Sequence, residues 1–233
     1  MPNDGLAPLI SVIIPCYNAE AYLAEAIESA LRQEAGPLEV VVIDDGSTDG
    51  SAGVARRFGG AVRYEYQANA GISAARNRGV ELAAGRYLAF LDADDVWPEG
   101  SLTLRLDMMR AYPGTACVFG AVEEFVSPDL HENPGSRIFL THAAQVARLA
   151  GSMLIERDAF VRVGFFDPRL TVGETIDWAG RAEDAGISMR TADAVVLRRR
   201  IHRDNTVTRE RARQNDYLRA LRTTLARRRA KAG

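Results

Sequence analysis

Three carboxylates close an apolar stretch in the first half of the chain. Tyr87-Leu88-Ala89-Phe90-Leu91 runs into Asp92-Ala93-Asp94-Asp95 and then Val96-Trp97-Pro98. Carboxylates this close repel one another, so ionising all of them is costly unless a cation sits among them. Oxygen-only donors suit a hard ion such as Mg²⁺ or Mn²⁺, which is usually shared with a phosphate-bearing ligand. The plainer reading is a solvated turn leading into a helix that starts at Trp97-Pro98. A second acidic cluster, Asp44-Asp45-Gly46-Ser47-Thr48-Asp49, ends another apolar run at residues 38–43. Arg76 and Asn77 follow Asn69-Ala70-Gly71, and Tyr17-Asn18 follows a third apolar run at 9–15.

The elements that position these clusters alternate. Residues 9–15, 38–43 and 87–91 are apolar at successive positions, the pattern of strands buried on both faces of a parallel sheet. Residues 62–66 alternate and form a further strand. Between them, Tyr22, Leu23, Ala26, Ile27, Ala30 and Leu31 recur at helical spacing after Asn18, a candidate cap. A short helix spans 54–58, and a longer one opens at Asn69-Ala70-Gly71 and ends near Gly85. Strand–helix alternation with short connections predicts an α/β fold with an open, mainly parallel sheet. Right-handed crossovers put every strand exit on one edge, where such sheets bind ligands. All four polar clusters fall on that rim, which independent solvated turns do not explain.

The second half is less regular. Its expected elements are a strand at 116–126, a loop at 127–136, a helix at 141–149 and a strand at 151–155. A helix at 158–163 leads into Gly164-Phe165-Phe166-Asp167. A helix at 174–185 buries Ile176, Ala179 and Ala182, and a last strand spans 195–201. From Arg198 onward 13 Lys and Arg face three acids, a net of +10, while the remainder carries −12. That split marks a basic helical tail with its own partner.

Composition excludes several classes. At 233 residues, 47% hydrophobic and 26% charged, the chain can bury an ample core. No apolar run approaches the roughly 20 residues that span a bilayer. The first residues lack the basic flank and apolar stretch of a signal peptide, so a cytoplasmic location is expected. Cys16 and Cys117 lie in apolar segments and read as buried, reduced thiols.

Taken together, Ser11-Val12-Ile13-Ile14-Pro15-Cys16-Tyr17-Asn18, Val42-Ile43 with the 44–49 block, Asn69-Ala70-Gly71 with Ala75-Arg76-Asn77, and Leu91-Asp92-Ala93-Asp94-Asp95 resemble family 2 glycosyltransferases. These are inverting enzymes of the GT-A fold, and the motifs occur in the family's order and spacing over roughly the first hundred residues. The resemblance implies a domain at 1–204, with a nucleotide-sugar-binding half at 1–97 and an acceptor-side half at 98–204, followed by the tail at 205–233. It implies a donor nucleotide site of Pro15, Tyr17, Asn18, Asp44, Asp45, Arg76, Asp92 and Ala93. Asp45 would accept from a base N–H, and Arg76 would lie near the base or the diphosphate. It implies Mn²⁺ or Mg²⁺ held by Asp92, Asp94 and His202.

Inversion needs a base to take the acceptor's proton. The family usually has Glu-Asp at a helix start with the Asp as base. Here Gly173-Glu174-Thr175-Ile176-Asp177-Trp178 puts Thr175 at that position. Threonine cannot be a base, which leaves Glu174 and Asp177 as candidates. The expected donor is a UDP-sugar, and the acceptor a glycan, lipid-linked or other hydroxyl compound. The basic tail fits peripheral contact with the inner face of a membrane, an oligomer contact such as a homodimer, or a solvated helix. It lacks the aromatic interleaving of a nucleic-acid-binding segment, and no nucleic-acid partner is expected. The alternatives are a nucleotide-sugar-binding protein with little or no transfer, and a nucleotidyltransferase. The latter usually carries a glycine-rich basic loop after its first strand, where Pro15-Cys16-Tyr17-Asn18-Ala19-Glu20 stands here.

Overall fold

A computed structural model describes residues 9–128, 144–170 and 172–202. Its strands are β1 (Ile10–Cys16), β2 (Leu38–Asp44), β3 (Arg63–Tyr66), β4 (Tyr87–Phe90), β5 (Cys117–Val126), β6 (Gln145–Val146), β7 (Leu154–Glu156) and β8 (Met189–Ile201). They form one sheet in the order β3-β2-β1-β4-β7-β5-β6, with β8 against the other edge of β5. The four strands of the first half are parallel in register, Ile10 beside both Leu38 and Tyr87. β7 enters antiparallel between β4 and β5. Beyond it β6 pairs antiparallel with β5, and β8 runs parallel to β5. The β5–β8 register slips between Phe119 and Val122. A Cβ on Gly120 would lie 2.5 Å from the Val196 side chain, so only glycine lets the two strands close there.

Helices cover both faces. α1 (Leu23–Leu31) and α4 (Ser101–Ala111) pack on one face, where Val12, Ile14, Leu23, Ile27, Leu102 and Leu106 are buried. α2 (Ser51–Arg56) is a short cover on the same side. On the other face lie α3 (Ile72–Leu82), α5 (Arg157–Val163) and α6 (Glu174–Asp184). Ile13, Leu88 and Phe90 there meet Phe160, Phe166 and Trp178. Phe160 stacks on Trp178 at 5.1 Å between ring centres. Val12, Ile13 and Ile14 alternate between the two cores, which is why their run is apolar throughout. Cys16 and Cys117 are free and buried, and burial pushes the Cys16 thiol up to about 11.

Several expectations need correction. No helix starts at Trp97-Pro98. Val96 forms an isolated bridge with Arg198, and α4 starts only at Ser101 after Gly100 in the left-handed region. The Trp97 ring turns inward and donates from Nε1 to the Gly151 carbonyl at 2.8 Å. Asn18 is not a cap: its φ is 49°, and α1 begins five residues later. Residues 145–146 form a strand instead of part of a helix, and 150–152 form a 3₁₀ turn before a shorter β7. β8 begins at Met189, six residues before the expected start. In α6 Ile176 is partly exposed, while Glu174, Thr175 and Asp177 are buried. Arg198, Arg199 and Arg200 belong to β8 and pair with Glu123, Glu124 and Glu25. The tail at 205–233 and most of the expected loop at 127–136 lie outside the described residues. No helix among the described residues is long and apolar enough to cross a membrane.

Candidate active site

The exits of β1 and β2 are laced together. The Asn18 N–H donates to Ser47 Oγ at 3.0 Å, and Asn18 Oδ1 accepts from the Thr48 N–H at 2.8 Å. The Glu20 N–H donates to Asp49 Oδ2, and Glu20 Oε2 accepts from the Gly50 N–H, both at 3.0 Å. Asn18, whose side chain was expected to touch the nucleotide, spends its carbonyl oxygen on this lacing. Tyr17 beside it projects into solvent, 55% exposed. Pro15 is buried within β1.

Asp44 and Asp45 are both buried. Asp44 accepts from Tyr64 Oη at 2.7 Å and from the Ser47 N–H at 2.8 Å. Asp45 Oδ1 accepts from Gln67 Nε2 at 2.7 Å and the Ala70 N–H at 2.9 Å, and its Oδ2 accepts from the Gly71 N–H at 2.8 Å. A carboxylate has about four acceptor positions, so roughly one remains on Asp45, at Oδ2.

Arg76 sits deepest. From α3 its guanidinium forks to Asp92 Oδ1 at 2.5 Å and to Glu174 Oε1 at 2.6 Å, with only 3% of its side chain exposed. Burial works against the charged form, and the Asp92 and Glu174 carboxylates outweigh it, holding the guanidinium protonated. Arg76, expected near the nucleobase or the diphosphate, bridges two acids of the rim. Asp92 is nevertheless raised. Its burial leads, Arg76 opposes it, and Asp94 adds repulsion. Asp95 is pushed well above the carboxylate range by burial and then by Asp94 and Asp92, although the Arg200 N–H donates to it at 2.9 Å.

His202 follows β8 and reaches back to the Asp92–Asp95 turn, with Nε2 2.9 Å from Asp94 Oδ2. Its ring lies 4.6 Å from that of Tyr22 and is buried. The two are at hydrogen-bonding distance, and the same spacing is roughly the 2.8–3.0 Å between adjacent ligands of an octahedral ion bound at about 2.0–2.1 Å, so the pair could also serve a Mg²⁺ or Mn²⁺ ion. Among the described residues no three His, Cys, Asp or Glu side chains gather as a cation site. Two protein ligands plus phosphate and water oxygens suffice for such ions. Ala93 packs inward, which leaves only its backbone to the rim.

The two candidate bases separate. Glu174 opens α6, pairs with Arg76 and accepts from Thr175 Oγ1 at 3.1 Å. Asp177 pairs with Arg181 Nε at 2.9 Å, and Arg181 in turn donates to the carbonyls of Val163, Gly164 and Phe165. Asp177 therefore belongs to the brace of the 163–165 turn. Asn77 holds the same segment, exchanging two hydrogen bonds with the Phe166 backbone at 2.9 and 3.0 Å. Sequence reasoning missed Tyr64, Gln67 and Tyr22 as supports. Tyr64 and Gln67 flank the end of β3, and their polar atoms at an exit were the available signal.

The family model for glycosyl transferase family 2 matches residues 11–167. The chain belongs to glycosyltransferase family 2. A relative of this family 2 chain is the uncharacterised glycosyltransferase YibD of Escherichia coli (strain K12), 47% identical over 105 residues, 42% of this chain and 30% of the relative. Another is the putative teichuronic acid biosynthesis glycosyltransferase TuaG of Bacillus subtilis (strain 168), 39% identical over 106 residues, 44% of this chain and 42% of the relative. The chain spans less than half the length of either. Among solved structures, S. aureus TarS 1-349 in complex with UDP-GlcNAc aligns with a TM-score of 0.69 at 18% identity, covering 92% of this chain and 65% of that one. The mannosyltransferase PcManGT of Pyrobaculum calidifontis, in complex with GDP-Man and Mn²⁺, aligns with a TM-score of 0.62 at 22% identity, covering 88% and 60%. These likenesses show that the family 2 chain has the GT-A glycosyltransferase fold.

Proposed function

We propose that this family 2 domain, residues 1–204, moves a sugar from a UDP-sugar to an acceptor hydroxyl with inversion, assisted by Mn²⁺ or Mg²⁺. One observation carries the reading: a single buried guanidinium joins Asp92 of the Asp-x-Asp turn to Glu174 at the start of α6. A donor-side acid and an acid at the usual base segment thereby share one rim. Glu174 is the base, taking the acceptor's proton as the hydroxyl attacks the anomeric carbon. Both acids pair with an arginine; Glu174 is preferred because its partner Arg76 leads to Asp92, whereas Arg181 ties Asp177 to the 163–165 turn. Asp94 and His202 would hold the ion. When bound, it stabilises charge on the departing nucleoside diphosphate.

The nucleobase reading rests on Asp45. Guanine presents two adjacent donors that need both carboxylate oxygens, and Oδ1 is already filled by Gln67 and Ala70. Uracil presents one N–H, which matches the one position left on Oδ2. Tyr17, which follows Cys16, whose carbonyl accepts from the Asp45 N–H at 2.8 Å, supplies an exposed ring. The neighbours bound to UDP-GlcNAc or to GDP-Man with Mn²⁺ support the substrate class. Beyond the domain, residues 205–233 carry nine basic and two acidic residues. That charge supports contact with an anionic membrane face, where a lipid-linked or surface glycan is the acceptor.

The test is transfer from a panel of UDP-sugars with Mn²⁺ by wild type and Glu174→Gln. General-base loss lowers turnover by about 10²–10⁴-fold while UDP still binds. Full turnover by Glu174→Gln sinks the assignment. A second reading, nucleotide-sugar binding without transfer, is favoured by Thr175 at the family's usual base position. UDP binding with no transfer from any sugar would establish it.

A further inference from the structure

We infer that Arg76 is a positioning residue that couples the donor side of the site to Glu174, so that the state of one carboxylate is felt at the other. The inference rests on the proposed donor site and goes beyond it. Asp92, Arg76 and Glu174 come from three elements, 16 and 98 residues apart in sequence for the two pairs. The guanidinium is planar and presents its two terminal nitrogens in a fixed fork, so it locks both carboxylates to one geometry. Among the described residues its buried Nε has no hydrogen-bond partner, so the two ion pairs are the polar anchors of the guanidinium. A shared cation in a dry site is partitioned between its acids. Neutralising Glu174 leaves more of the guanidinium's charge for Asp92 and for the diphosphate beside it.

The experiment is a double-mutant cycle read as UDP affinity, by titration calorimetry in Mn²⁺, on wild type, Glu174→Gln, Arg76→Met and the double variant. Melting temperatures are measured in parallel. Coupled neighbours deviate from additivity by enough to change affinity by about twofold or more. Glu174→Gln should tighten UDP binding by at least that factor in the wild-type background and leave it unchanged in the Arg76→Met background. Where Arg76→Met fails to fold, Arg76→Lys replaces it, since one ammonium keeps the charge but cannot span both acids. An equal effect of Glu174→Gln in both backgrounds would mean that Arg76 only supports the fold, and the inference falls. A wild-type protein that binds no nucleotide would instead overturn the donor-site reading itself.

Discussion

Replacing His202 with alanine tests the metal edge of the site. Asp94 Oδ2 and His202 Nε2 are 2.9 Å apart, within the roughly 2.8–3.0 Å expected between adjacent ligands of an ion bound at about 2.0–2.1 Å. If these two supply the main protein contacts, removing one must cost at least as much as losing an outer partner of a ligand. That is about 10–100-fold in metal affinity, or about 1.4–2.7 kcal/mol. The assay is UDP titration with Mn²⁺ and again with EDTA, and the quantity of interest is the ratio of the two Kd values. In His202→Ala the ratio should shrink by about 10–100-fold, with the EDTA value unchanged. The substitution also strips the ring that packs on Tyr22. Loss of that packing alone would weaken binding equally with and without Mn²⁺. Equal weakening, or an unaltered ratio, refutes the assignment of His202 to the ion.

Asp177→Asn breaks the buried pair with Arg181 and should cost about 3–5 kcal/mol, seen as a lower denaturant midpoint, with UDP affinity retained; loss of UDP binding in a stable variant would restore Asp177 to the site. Phe160→Ala opens a cavity among Phe90, Phe166 and Trp178 and should cost about 3–5 kcal/mol; a cost below about 1 kcal/mol would mean that the cluster is not packed as described. Hydrogen bonds from Arg169 hold Asp167 down to about 2, below its ordinary value, so its contribution is present above about pH 4 and is lost as pH falls towards 2. Asp167→Asn should therefore flatten the fall in melting temperature over that window, and an unchanged slope would refute it.

The first half of the fold was legible because burial on both faces writes continuous apolar runs. β1, β2 and β4 read directly from Ile10–Cys16, Leu38–Asp44 and Tyr87–Phe90, and the polar clusters after them marked the rim. Less was legible where long-range pairing overrides local preference. Val96 and Trp97 look like a helix entry, yet Val96 bridges to Arg198, about a hundred residues on, and α4 starts only at Ser101. Arg198, Arg199 and Arg200 lie in the expected last strand, but their acidic partners Glu123, Glu124 and Glu25 come from other elements and were not legible. Arg76 was visible as a functional residue, but its partners were not. Nothing local to α3 announces that Asp92 and Glu174 converge on it. Among the described residues Asn18 is the one non-glycine with positive φ, and this conformation likewise goes with lacing to Ser47 and Thr48 across the β1–β2 exits.

That lacing has a thermodynamic consequence. The backbone amides of Asn18, Glu20, Thr48 and Gly50 already have side-chain acceptors, so the lip of the nucleotide site is ordered before any ligand arrives. Loops that freeze only on binding surrender conformational entropy at that moment and weaken the complex accordingly. Here that loss is incurred during folding. Nucleotide capture should then proceed with little change in the hydrogen exchange of residues 18–20 and 47–50, and with an association rate set by diffusion and charge instead of by loop closure.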